Sequence, residues 1–117
     1  MRHALQRRAL VAILVTLGAT LAGCGQSATE TACIDTVVAL TDALERCSLV
    51  TGSRDAAERE VEEAVTMNMG CGRVVSIRDE RELRDTCFPA LETVACTELS
   101  SGSLPASCRA QIEVRAR

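Results

Sequence analysis

Residues 33–47 read CIDTVVALTDALERC, and their apolar side chains recur every three or four positions. On an α-helix these positions form one buried stripe, whose members are Cys33, Val37, Leu40, Leu44 and Cys47. The pattern predicts an amphipathic helix over residues 31–48 with a cysteine near each end. A helix that turns a cysteine toward the core at both ends is an element to which other parts of the chain can be tied.

Two further helices are predicted after this one. The second begins at Ser53, runs to about residue 68 and keeps its glutamates on exposed flanks. The third starts at Asp79, three residues before Glu82, which is a cap-like spacing. Pro89 removes a hydrogen bond from its interior, so this helix either kinks or breaks in two there.

The remaining segments predict no sheet. Residues 74–77 are mainly β-branched and predict an extended segment that covers the core without a strand partner. Leu104-Pro105 opens a last short helix that carries Cys108 and Ile112. The expected fold class is all-α: a small disulfide-stabilised helical domain of three to four short helices.

The N-terminus has the pattern of an export signal. Arg2, Arg7 and Arg8 precede an uncharged, largely aliphatic run over residues 9–22. Fourteen residues span about 21 Å as a helix, against a hydrocarbon core of about 30 Å. This length favours a cleaved signal peptide over the alternative, a retained membrane-spanning helix.

The run ends in Leu21-Ala22-Gly23-Cys24, which resembles the lipobox of bacterial lipoproteins. The resemblance implies cleavage before Cys24 and acylation of that cysteine by a diacylglyceryl group and palmitate. An ordinary signal peptide that ends near a cysteine is the alternative. The lipoprotein interpretation implies a lipid-anchored protein of the cell envelope. Gly25 stands where lipoproteins retained in the inner membrane have Asp, which favours the outer membrane.

These features predict three parts: a cleaved signal peptide at 1–23, a lipidated N-terminus with a short tether at 24–30, and a cysteine-rich helical domain at 31–117. The exported part holds ten arginines and sixteen carboxylates, a net charge of −6, and Phe88 is the only aromatic residue. An acidic domain with so few stacking platforms is a poor nucleic-acid binder, so no nucleic-acid partner is expected. The expected partners are the membrane, through the acyl chains, and a protein of the envelope.

Six of the seven cysteines remain once Cys24 is lipidated, and an even number in a small exported domain predicts three disulfides. Fifteen pairings are possible. An antiparallel hairpin of the first two helices brings the cysteine at its exit to the cysteine at its start. A third helix that runs back brings Cys87 to Cys47 at the end of the first helix. Cys96 and Cys108 then remain to pair with each other. The pairs expected from this arrangement are Cys33–Cys71, Cys47–Cys87 and Cys96–Cys108.

No residue set predicts a catalytic centre, and neither an enzymatic activity nor a cofactor is expected. The only histidine, His3, lies in the signal, and the chain has no lysine. The exported part therefore lacks the groups of the usual Ser/His/Asp and Ser/Lys centres. Thiol oxidoreductases place two cysteines close together, as in Cys-x-x-Cys, whereas the closest two of the six, Cys87 and Cys96, lie nine residues apart.

Met67, Met69 and Cys71 alternate along the chain and offer soft sulfur ligands, which makes the methionines weak candidates for a copper(I) site. The alternative is that two methionines fill gaps at the end of a helix and a disulfide cysteine follows them. No metal site is expected on balance, because a disulfide would consume Cys71.

The spacing of the cysteines, the helical stripes and the segments CFPAL at 87–91 and LPASC at 104–108 resemble the small cysteine-rich lipoproteins of high-GC Gram-negative bacteria. That class carries no assigned activity. The expected function is a non-catalytic, membrane-anchored structural or protein-interaction module of the cell envelope. A carrier of a small ligand or of copper(I) is the first alternative, and a thiol-disulfide redox protein is the second.

Overall fold

The structure, a computed structural model, describes residues 25–115, which are mostly helical and carry one small sheet. The α-helices are α1 Ala28–Arg46, α2 Arg54–Val65, α3 Glu80–Glu82, α4 Phe88–Thr93 and α5 Cys96–Ser100. The strands are β1 Val74–Ile77 and β2 Ile112–Val114. A π-helical turn, Leu83–Cys87, joins α3 to α4, and the 3-10 turns are Cys71–Arg73 and Ala106–Cys108.

The helix α1 is the central element, as its apolar stripe predicts. Ser27 Oγ accepts the Glu30 N–H at 3.1 Å, so the helix begins three residues before its predicted start and takes up part of the predicted tether. The stripe lies against the core: Cys33, Val37 and Leu40 are buried, and its last two members, Leu44 and Cys47, are half-buried. Both α2 and α4 pack against α1.

Two other predicted helix starts are confirmed by their caps. Ser53 Oγ accepts the Ala56 N–H at 3.2 Å at the start of α2. Asp79 Oδ1 accepts the Glu82 N–H at 2.9 Å at the start of α3. In both cases a side-chain oxygen satisfies an N–H that has no partner within the helix.

α3, the π-helical turn and α4 follow one another without a break over residues 80–93, and we refer to them together as the α3–α4 helix. Pro89 has no N–H, and its ring crowds the carbonyl four residues earlier. The Phe88 N–H bonds instead to the Leu83 carbonyl, five residues back. This wider turn accommodates the proline, so the helix does not break there.

The domain is mostly helical and has three disulfides, as predicted, but a small sheet departs from the all-α prediction. β1 and β2 pair antiparallel, with Val74 opposite Val114 and Ile77 opposite Ile112. The predictions that residues 74–77 have no strand partner and that a final helix carries Ile112 were therefore wrong. The helical part of that segment is a single 3-10 turn, after which the left-handed backbone of Ala110 (φ 52°) turns the chain into β2.

Gln111 fastens this returning segment to the rest of the domain. Its side chain is almost fully buried, its Oε1 accepts the Asp79 N–H at 3.0 Å, and its Nε2 donates to the Ser107 carbonyl at 2.9 Å and to Glu82 at 3.1 Å. Its backbone carbonyl accepts the Arg78 N–H at 2.8 Å. Both polar atoms of the buried amide are thus hydrogen-bonded, which is the condition under which burying them costs little.

The α3–α4 helix runs parallel to α1. Near the start of both helices Arg84 pairs with Asp35 at 3.0 Å, and near their ends the Arg46 guanidinium donates to the Val94 carbonyl at 2.8 Å. The chain therefore rises along α1, descends along α2 and rises again along the α3–α4 helix.

This direction and length determine the disulfides, which join Cys33–Cys71, Cys47–Cys96 and Cys87–Cys108. The first predicted pair is confirmed, whereas the predicted pairs Cys47–Cys87 and Cys96–Cys108 were wrong. The rise from Cys33 to Cys47 is about 21 Å, but Cys87 lies only about 10 Å above the start of the α3–α4 helix. Because that helix continues past Pro89, Cys96 is the cysteine that reaches the end of α1.

Two buried threonines of α1 predict opposite effects of the same substitution. Thr36 Oγ1 donates to the Ala32 carbonyl at 2.8 Å, whereas the fully buried Thr41 Oγ1 has no hydrogen-bond partner within residues 25–115. We expect Thr41→Val to leave the free energy of unfolding unchanged or to raise it by about 1 kcal/mol, because it removes an unpaired buried hydroxyl. Thr36→Val should lower it by about 1 kcal/mol. Urea unfolding of the oxidised proteins measures both, and an equal loss in the two variants would contradict the prediction.

Candidate functional site

The predicted lipidation site lies outside the described residues, as do the rest of the predicted lipobox and the signal peptide. Only Gly25, Gln26 and Ser27 separate Cys24 from the first residue of α1. Three extended residues reach about 10 Å. Within residues 25–115, no helix is both long enough and apolar enough to cross a membrane.

The candidate copper(I) ligands are not brought together as a set of free sulfur atoms. Cys71 is buried and bonded to Cys33, so its sulfur is not a free thiolate. Met67 is 68% exposed in a left-handed turn after α2, and Met69 is half-buried. The described part of the chain also holds no group of three or more His, Cys, Asp or Glu side chains that could bind a metal ion.

An open groove of about 430 Å³ lies between α1 and the α3–α4 helix, and we call it the α1–α4 groove. Its apolar residues are Val38, Ala39, Ala43, Phe88 and Leu91. Its charged residues are Asp35, Asp42, Arg46, Arg84 and Glu92. The groove therefore combines aliphatic surface and the single aromatic ring of the chain with charges of both signs.

Arg46 closes the upper end of the groove. Its Nη2 donates to the carbonyls of Val94 at 2.8 Å and Leu91 at 3.3 Å, at the C-terminal end of the α3–α4 helix. Carbonyls in the last turn of a helix have no helical partner and carry the negative end of its dipole. Arg46 thus caps a neighbouring helix, and its Nη1 also lies 3.7 Å from Cys96 Sγ.

Arg84 bridges the lower end. Its Nε donates to Glu80 and its Nη1 to Asp35, both at 3.0 Å, so it ties the α3–α4 helix to α1. The hydrogen bonds to Glu80 and then to Asp35 raise the pKa of the Arg84 guanidinium above its ordinary value.

Arg54 neutralises the carboxylate of Asp42 from the α1–α2 junction. It contacts Asp42 at 2.7 Å, Glu58 at 2.8 Å and Glu45 at 2.9 Å. The hydrogen bond to Asp42, followed by that to Glu58, raises the pKa of the Arg54 guanidinium. Since these groups are exposed, the cluster orients the helices more than it stabilises the fold.

The groove keeps one carboxylate free for a ligand. Both of its arginines are already bound within the protein, and its two aspartates are paired with Arg84 and Arg54. Glu92 is exposed and forms no ion pair with any residue of 25–115. The chemistry on offer is contact with an apolar side chain on the floor and pairing of Glu92 with a cation.

No sequence pattern predicted this groove. Val38 and Ala39 lie beside the buried stripe of α1 rather than on it, and Val38 is 37% exposed. An aliphatic pair off the stripe, together with the sole aromatic residue Phe88, was the available signal. The other side of the groove is formed by the α3–α4 helix, and no sequence pattern indicates the direction in which this helix runs relative to α1.

Comparisons of the chain with protein-family models, with curated proteins and with solved structures found no match.

Proposed function

We propose that this protein is a lipid-anchored, non-catalytic protein-interaction module of the cell envelope, and that it binds a partner in the α1–α4 groove. The observation that carries the proposal is an open apolar floor whose two walls are held at both ends, by Arg46 above and Arg84 below. A surface that is already ordered before binding loses little conformational entropy when the partner arrives.

The chemistry of the groove specifies the partner. An apolar centre surrounded by polar and charged groups is the usual anatomy of a protein interface. The accessible part of the floor, formed by Val38, Ala39 and Phe88, suits an aliphatic or aromatic side chain. The unpaired Glu92 suits a basic residue beside that side chain, and the net negative charge of the domain favours approach of a basic segment.

The anchor is supported by the sequence Leu21-Ala22-Gly23-Cys24 and by the short connection to α1. Acyl chains on Cys24 would hold the N-terminal end of α1 close to the bilayer, because only three residues intervene. Two or three acyl chains give an effectively permanent attachment. The outer membrane is the proposed location, on the resemblance of the signal and the residue at Gly25.

The anchor is tested by Cys24→Ser. We expect this variant to lose its acyl mass and its attachment to membranes, because the serine hydroxyl does not receive the lipid. It should keep the three disulfides of the domain, since none of them involves position 24. Membrane fractionation and intact mass of the non-reduced protein measure both, and a variant that stayed in the membrane would indicate an uncleaved anchor.

The groove is tested by site-specific photo-crosslinking in intact cells. A crosslinker at position 38 should trap one defined protein partner, whereas a crosslinker at position 75 should not. Val75 is the matched control, because it is also an exposed valine but lies on β1, outside the groove.

Purified partner then measures the energetics. Val38→Arg should weaken binding by about tenfold or more, because it places a large charged group on the apolar floor. Val75→Arg should leave the dissociation constant unchanged, and Glu92→Gln should weaken binding more at low salt than at high salt. Equal crosslinking from positions 38 and 75, or equal losses in the two arginine variants, would refute the groove as the binding surface.

A further inference from the structure

The Cys47–Cys96 disulfide differs from the other two in its accessibility. Cys33 and Cys71 are both buried, and Cys87 is buried against a half-buried Cys108. Cys47 is half-buried, and Cys96 is the exposed member of the six cysteines within residues 25–115. An external thiol must reach a disulfide sulfur to attack it, and neither residue of this bond is buried, so access favours exchange at this bond without choosing which of its two sulfurs is attacked.

A positive charge is held beside one of its two sulfurs. Arg46 Nη1 lies 3.7 Å from Cys96 Sγ, while Nη2 of the same guanidinium is fixed by the carbonyls of Leu91 and Val94. A neighbouring guanidinium stabilises a thiolate and lowers the pKa of the corresponding thiol. A thiol of lower pKa is the better leaving group in exchange, so the geometry favours departure of the Cys96 sulfur.

We propose that the Cys47–Cys96 disulfide is a thiol-exchange site that reacts with an external dithiol. One thiolate of the dithiol attacks Cys47 Sγ, a bond forms between these two sulfurs, and the Cys47–Cys96 bond breaks. Cys96 leaves as a thiolate beside Arg46. The second thiol of the dithiol is then deprotonated and attacks the first sulfur of the dithiol, which is bonded to Cys47 Sγ. A disulfide forms within the dithiol, and Cys47 is released as a thiolate.

The reaction is balanced in atoms and electrons. The dithiol loses two electrons and becomes a disulfide, while the Cys47–Cys96 bond gains them and becomes two thiols. The two protons of the dithiol pass to Cys47 and to the Cys96 thiolate when that is protonated. The reverse reaction oxidises a dithiol by the same route.

The other two disulfides take no part in this exchange. Cys33–Cys71 joins α1 to the 3-10 turn before β1, and Cys87–Cys108 joins the α3–α4 helix to the C-terminal segment. Both bonds connect elements at a distance from the Cys47–Cys96 bond along α1 and the α3–α4 helix. The site is independent of the proposed binding groove, except that Arg46 contributes to both.

The first test follows the order of reduction in the full-length, unmodified protein. The folded, oxidised protein is treated with dithiothreitol without denaturant, quenched by alkylation at successive times and mapped by peptide mass spectrometry. We expect Cys47 and Cys96 to be alkylated at least about tenfold faster than the other four disulfide cysteines, because a buried disulfide is reduced only after the protein unfolds locally around it. Reduction of either other bond at the same rate or earlier overturns the proposal.

The second test identifies the attacked sulfur. A brief reaction with 2-mercaptoethanol, which has no second thiol, leaves a mixed disulfide whose position peptide mapping reveals. A mixed disulfide on Cys47 supports the proposed direction, with Cys96 as the leaving group. A mixed disulfide on Cys96 overturns it.

The third test separates the charge of Arg46 from its role as a helix cap. Arg46→Gln should slow reduction of Cys47–Cys96 by about threefold, whereas Arg46→Lys, which keeps the charge, should restore most of the rate. Arg59→Gln, at an exposed arginine on α2, is the matched control and should not change it. Circular dichroism checks that each variant is folded. The role of the charge is overturned if the bond is reduced as fast in folded Arg46→Gln as in the unmodified protein, or no faster in Arg46→Lys than in Arg46→Gln. The first two tests use the unmodified protein and do not depend on the folding of any variant.

Discussion

The architecture depends on one helix that is tied at both ends of the same face. Cys33 lies in α1 and Cys47 directly follows its last residue, and each is bonded to a segment far along the chain, with separations of 38 and 49 residues. In the chain-entropy model each such closure contributes about 4 kcal/mol by restricting the unfolded chain. That contribution matters in a domain of this size, whose buried core has no aromatic residue and leaves little margin by itself.

The second cross-connection of the domain is polar. Arg84 and Arg46 join α1 to the α3–α4 helix at their lower and upper ends, and Gln111 joins the C-terminal segment to the start of α3. The exposed Arg84–Asp35 ion pair adds little to the free energy of folding. The contacts of the two arginines do determine how the two helices lie side by side, and the space left between them is the α1–α4 groove. Arg46 is the residue shared by the helix cap, the groove and the Cys47–Cys96 bond.

Most of the local structure could be predicted from the sequence. The stripe on α1, the cap at Ser53 and the cap at Asp79 are each set by residues within a few positions of one another, and all three are confirmed. The Cys33–Cys71 bond also followed from local reasoning, because a hairpin of two successive helices brings its own ends together. The strands β1 and β2 escaped prediction, since a three-residue segment near the C-terminus becomes a strand only when its partner, 35 or more residues earlier, lies beside it.

The other two disulfides and the groove could not be predicted from residues that are close together in the chain. Both depend on how far the third helix continues, and Pro89 predicted a kink or a break at which the structure instead forms a π-helical turn. With the longer helix, Cys96 rather than Cys87 reaches the end of α1, and Arg46 meets the last carbonyls of α4. The sequence by itself determined the helical stripes, their caps and the number of disulfides, because these follow from residues close in the chain and from counting. Only the tertiary structure decided which cysteines meet and where a groove opens, because helix length and direction place residues that are far apart in sequence.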